Sequence, residues 1–135
     1  MPLLVDTGIV YALADRSDAW HLKTQTYIES THARLLAPIT ILPEVAYLLR
    51  DRLGSKAEEA FVRSLGSGEV GVEDIKRHDW SRIEALMAKY DVLGFVDASV
   101  VAVAERLKVA EIATTDRRHF GVVRPVHVDR FTLVP

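Results

Sequence analysis

A chain of 135 residues with 49% hydrophobic and 27% charged side chains carries enough apolar material for one compact core, which excludes a disordered tail or low-complexity linker. The absence of cysteine excludes disulfides, thiolate metal sites and cysteine nucleophiles, and fits a reducing compartment. A net charge of −2 excludes a general attraction to polyanions, so any nucleic-acid contact has to be local.

Leu3-Leu4-Val5, after Pro2 and closed by Asp6, predicts a buried parallel strand ending on a carboxylate. The same run has no basic lead and is interrupted by Asp6, so it reads as neither signal peptide nor membrane span, and a cytoplasmic protein without membrane contact is expected. Thr7 to Ala14 reads as a helix. Asp18 is a candidate N-cap for a second helix to about His32, with Trp20, Leu22, Tyr27 and Ile28 as an imperfect stripe. Arg34 to Ala37 predicts a second strand. Ile39 to Leu53 follows as a helix, apolar at Ile41, Val45, Leu48 and Leu49, with Pro43 in its first turn and Gly54 as its stop.

Ser55 to about Leu65 predicts another helix, with Ala57, Ala60, Phe61 and Leu65 inward. Residues 69–73 alternate through Val70 and Val72 as a third strand, and Asp79 to about Tyr90 is helical with Trp80, Ile83, Leu86 and Met87 on one face. Asp97 opens an apolar helix to Lys108. Ile112 to Thr115 is a fourth strand closed by Asp116, and Val122-Val123 or residues 126–128 supply a weaker fifth. Trp20, Tyr47, Trp80 and Phe95 are expected in the core rather than as base-stacking platforms. Alternating strands and helices over residues 1–135 imply one α/β domain, a parallel sheet covered on both faces, with ligands at the carboxyl ends of the strands.

Most of the 19 acidic residues sit among other charges, as Glu58-Glu59 and Glu73-Asp74 do, and read as solvated faces. Four have apolar neighbourhoods. Asp6 and Asp116 each end an apolar strand, Asp97 separates Phe95-Val96 from Ala98-Ser99-Val100, and Glu44 lies between Ile41 and Leu48, pointing toward the packed side. Asp97 is equally an N-cap, and Asp6 and Asp116 equally bind local turns. Brought together in a partly dry cleft, however, such carboxylates repel one another and need a compensating cation. A hard divalent ion with oxygen ligands meets that need, and Thr7 and Thr115 can orient the carboxylates from behind.

Val5-Asp6-Thr7-Gly8, Pro43-Glu44-Val45, Val96-Asp97-Ala98 and Ala113-Thr114-Thr115-Asp116, in that order along essentially the whole chain, resemble the PIN-domain pattern, most closely that of the VapC toxins of toxin–antitoxin pairs. The resemblance implies a three-layer α/β/α sandwich with a four- to five-stranded parallel sheet. It also implies a Mg²⁺-dependent endoribonuclease, with Mn²⁺ able to substitute, whose metal ligands and catalytic acids are Asp6, Glu44, Asp97 and Asp116. A homodimer, an RNA substrate and a small inhibitory antitoxin are implied as partners. Thr7 and Gly8 stand where the family often has serine and alanine.

Arg117-Arg118-His119 gives the loop after Asp116 positive charge that can hold RNA phosphates; an ordinary solvated loop reads equally well. The glycines of residues 66–71 match a dinucleotide-binding spacing but follow a helix and enter a strand, the reverse of the required context. The five histidines are scattered without an H-x-x-x-H pair, which disfavours zinc. A metal-free binding module, a phosphotransfer domain with Asp6 as nucleophile, and a structure-specific DNA nuclease are the alternatives. Gly8 denies the second its D-x-D start.

Overall fold

The computed structural model describes residues 1–135. Five parallel strands form one sheet: β1 (Pro2–Val5), β2 (Arg34–Pro38), β3 (Gly71–Glu73), β4 (Glu111–Ala113) and β5 (Thr132–Val134), in the order β3-β2-β1-β4-β5. The connecting helices are α1 (Thr7–Ala14), α2 (His21–Ser30), α3 (Leu42–Leu53), α4 (Ser55–Gly66), α5 (Asp79–Lys89), α6 (Phe95–Leu107) and α7 (Arg117–Gly121), with a 3₁₀ turn over Ile39–Ile41. Helices α1 to α4 pack among themselves, while α5 packs on α6 and α6 on α7. The expected three-layer α/β arrangement is the one found.

Leu3, Leu4 and Val5 are fully buried because β1 is central and covered on both faces. Helix α6 is buried at eight consecutive residues, Ala98 to Glu105, so it has no solvent face over two turns and small residues allow its close approach. A core cluster of 26 buried residues joins these elements. Gly54, at φ +99°, stops α3 and is followed directly by α4, the left-handed backbone explaining the glycine.

Several expectations are corrected. The fifth strand is Thr132–Val134, not residues 122–128; Pro125 interrupts the earlier valines, and Val123 is buried without joining the sheet. Helix α2 starts at His21, with Asp18 accepting from the Trp20 N–H three residues ahead of it, and its buried residue is Thr24, not Leu22. Ala60 is exposed. Trp80 and Phe95 stack on each other at the surface, ring centroids 6.0 Å apart, while Tyr47 is 67% exposed and Trp20 half-buried. Helical periodicity identifies a stripe but leaves open which end of it meets solvent, and that choice went to tertiary packing.

Candidate functional site

Asp6 and Asp116 follow the neighbouring strands β1 and β4, where the order of the sheet reverses: the chain leaves β1 toward β2 and β3, then returns to place β4 on its other side. That reversal opens a crevice at the carboxyl ends of the strands. The Asp6 N–H donates to the Ala113 carbonyl at 3.1 Å, locking the two strand ends together. Glu44, in the first turn of α3, and Asp97, in the first turn of α6, reach the crevice from the helical layers. Asp6, Glu44, Asp97 and Asp116, with Thr7, Gly8, Val96 and Thr115, line one cleft of about 260 Å³.

Asp6 and Asp116 also perform the local role open to them. Asp6 accepts from the Ile9 N–H at the start of α1, and Asp116 from the His119 N–H at 2.9 Å at the start of α7. Asp97 does not. Helix α6 begins at Phe95 with Gly94 as its N-cap, so Asp97 is already inside the helix and its capping role is lost. Glu44 is exposed, not packed: Val45 and Leu49 take the core side of α3, leaving the Glu44 side chain at the cleft.

The carboxyl-orienting hydroxyl is Thr114, which is fully buried, donates to Asp6 Oδ2 and accepts from the Asp116 N–H at 2.8 Å. It was expected to be Thr7 and Thr115. At the end of β4 it is Thr114 that turns inward, while Thr115 lies over Gly8, close enough that a Cβ there would meet its Oγ1. Thr7 Oγ1 is buried and makes no hydrogen bond.

Burial pushes the Asp6 carboxyl up from 3.8 to about 6; the Thr114 and Ile9 hydrogen bonds oppose this, and the Asp97 and Asp116 charges add to it. Burial also raises Asp97, with His119 opposing and Asp116 and Glu44 adding. His119 is the residue sequence reasoning missed as a site member. Its Nδ1 lies 3.1 Å from Asp97 Oδ2 and 2.7 Å from Asp116 Oδ2, within hydrogen-bonding reach of both carboxyls. Three residues along α7 from Asp116, it shares that helix face, so D-x-x-H is the spacing that would have flagged it. Asp97, Asp116 and His119 offer ligand atoms all within 4.8 Å of one another, a set able to hold a metal ion.

A PIN-domain family model matches residues 3–124. The chain belongs to the PIN-domain family. Among curated relatives, this PIN domain is 30% identical to ribonuclease VapC26 of Mycobacterium tuberculosis over 98% of this chain and 100% of that protein. Among solved structures it resembles the sarcin–ricin-loop-cleaving toxin VapC20 of the same organism, with a TM-score of 0.82, 24% identity, and coverage of 94% and 98% of the two chains. A toxin–antitoxin complex from Klebsiella pneumoniae gives a TM-score of 0.71 at 20% identity, covering 90% of this chain and 92% of that one. At those identities the solved structures establish the PIN fold alone. No helix of this PIN domain is long and apolar enough to cross a membrane.

Proposed function

We propose that this PIN domain is a Mg²⁺- or Mn²⁺-dependent endoribonuclease and the toxin of a toxin–antitoxin pair, with residues 1–135 acting as one nuclease unit. The observation that carries this reading is the meeting of Asp6, Glu44, Asp97 and Asp116 in one small cleft at the carboxyl ends of a parallel sheet. A cluster in which Asp6 and Asp97 are already pushed above the ordinary carboxylate range lacks positive charge, and a divalent ion supplies it.

The donor set fits such an ion. Its oxygens are hard ligands, and Thr7 Oγ1, buried in the cleft wall without a partner, is free to bond a water of a hydrated ion or a phosphate oxygen. Asp6, Glu44, Asp97 and Asp116 would hold the ion, with His119 at its edge. Bound there, the ion would supply Lewis acidity toward the scissile phosphate. The chain's own groups do the remaining work. Thr114 holds Asp6 and the Asp116 backbone in fixed register, Arg117 and Arg118 receive neighbouring phosphates, and His119 Nδ1 bridges the carboxyls of Asp97 and Asp116.

The ribonuclease name of the VapC26 relative supports RNA as substrate, and the toxin–antitoxin complex among the structural neighbours supports a small antitoxin partner; a homodimer is expected as well. EDTA should abolish cleavage of single-stranded RNA, with Mg²⁺ or Mn²⁺ restoring it. Asp97→Asn should lower cleavage by more than about 100-fold, since loss of a ligand exceeds the usual cost of losing its hydrogen-bonded neighbour. Melting should barely change, because Asp97 caps no helix. Full activity in EDTA, or in Asp97→Asn, defeats the metal-nuclease reading.

An antitoxin that inhibits by filling the cleft is expected to seat an arginine or lysine among the four acids, replacing the metal charge. Co-expression with a neighbouring small protein checks the toxin half: a stable complex that loses RNA cleavage supports it, and free, active protein in the presence of that neighbour counts against it.

A further inference from the structure

We propose that Trp20, Lys23 and Arg117 form a phosphate clamp that holds single-stranded RNA beside the acidic cleft, with Trp20 as its positioning residue; this rests on the ribonuclease reading above. Lys23 Nζ lies 5.6 Å from the centroid of the Trp20 ring, and the Arg117 guanidinium lies 5.9 Å from the same centroid. One indole thus gathers a cation from α2 and a cation from α7. Arg117 is the chain neighbour of Asp116, which lines the cleft.

The segment that carries the indole is held in position. The Trp20 backbone N–H donates to Asp18 Oδ1 at 2.8 Å, and the next residue, His21, bonds the Ala12 carbonyl through Nδ1 at 2.7 Å. Arg117 is tied a second time, by a hydrogen bond to the Pro135 carbonyl. Side chains tethered this way lose little entropy on meeting a ligand.

The choice of tether points to the ligand. Elsewhere in the chain, Arg50, Lys56, Arg82 and Arg106 are held by carboxylates within 4.0 Å, which cancel their charge. Neither Lys23 nor Arg117 pairs with a carboxylate side chain; like Arg52 over Tyr11 and Lys89 over Tyr90, each lies over a ring, but only these two share one and adjoin the site. A ring face holds a cation through its quadrupole and leaves the full positive charge on offer. In a chain of net charge −2 whose cleft is itself acidic, an approaching polyanion is repelled unless such charges stand at the entrance. Backbone phosphates flanking the scissile one are the groups of matching sign.

The test is binding of a short single-stranded RNA by the full chain in Ca²⁺, read by fluorescence anisotropy as a function of salt. Each phosphate contact contributes about 0.7 to the slope of log affinity against log salt on single strands. Lys23→Gln and Arg117→Gln should each lower the slope by about 0.7, and Trp20→Ala, which releases both cations, by up to about 1.4. Trp20→Phe keeps a ring and should stay near wild type. Mn²⁺ affinity by calorimetry and the melting temperature should be unchanged throughout. Wild-type slope and affinity in Trp20→Ala overturn the clamp, as does a loss that Phe fails to rescue or that comes with weakened Mn²⁺ binding. If those results appear in a protein that cleaves RNA, only the clamp falls; a wild type that neither binds nor cuts RNA with any metal removes the ribonuclease reading and the clamp with it.

Discussion

Asp6 is 7% exposed, yet it ends a central strand, caps a helix and faces two other acids. Its pH behaviour follows from that position. With the folded value raised from 3.8 to about 6, the folded chain binds more protons than the unfolded one in the interval between them. Stability therefore falls as pH rises through that interval, and the loss, roughly 3 kcal/mol, is complete above it. Asp6→Asn removes the ionisable group while keeping an acceptor for the Ile9 N–H. In EDTA it should melt above wild type at pH 7.5, with the difference vanishing below about pH 4; added Mn²⁺ should reverse the order, because wild type alone binds it well. A melting difference that does not change with pH would contradict the burial account. Asp6 and Asp116 were legible in the sequence because each interrupts an apolar run at a strand end. His119 was read only as part of a basic tripeptide: its spacing from Asp116 is visible there, but nothing marks Asp97, 22 residues away, as its second partner. Thr114 was hidden for a related reason: adjacent threonines look alike until the strand decides which one turns inward.

The elements around the cleft fit one another closely at the point where α1 leaves β1. Gly8 sits under Thr115, and the space a Cβ would need is already taken by the threonine hydroxyl. Gly8→Ala should therefore overpack the first turn of α1 at a cost of about 1–3 kcal/mol, displacing Asp6 and lowering cleavage. Thr115→Ala in the same chain makes room. A double-mutant cycle should then show the pair more stable and more active than the sum of the singles, whereas additive losses would mean that the two residues do not share this space. The strands and most helices were readable from apolar runs and periodicity, but their ends were not. Helix α6 begins at Phe95 because Gly94 is extended and the Ala98 N–H already bonds to the Gly94 carbonyl, a geometry that no residue type at position 97 reveals. Strand β5, three residues at a sheet edge, owes its existence to pairing with β4.

At the scale of the molecule, the α/β class was legible because strands and helices alternate from end to end. The ties between layers were not. Asp79 and Glu105, both buried, are met by Arg106 and Arg82, and Arg106 also binds Glu73, which had read as a solvated charge. The partners lie 27, 23 and 33 residues apart, beyond any helical spacing. These pairs fasten α5 and β3 to the far end of α6, whose near end carries Asp97, and losing the arginine that meets Asp79 or Glu105 would strand a buried carboxylate at about 3–5 kcal/mol. The order β3-β2-β1-β4-β5 has one more consequence, in time. Strand β1 leaves the ribosome well before its second neighbour, β4, and Asp116 beyond it, so the acidic cleft cannot close until the helices and strands between them have been made. A nascent chain that stops short of β4 holds three of the four acids and half of the crevice, and the cell that makes it meets the complete site only after Asp116 has followed them out.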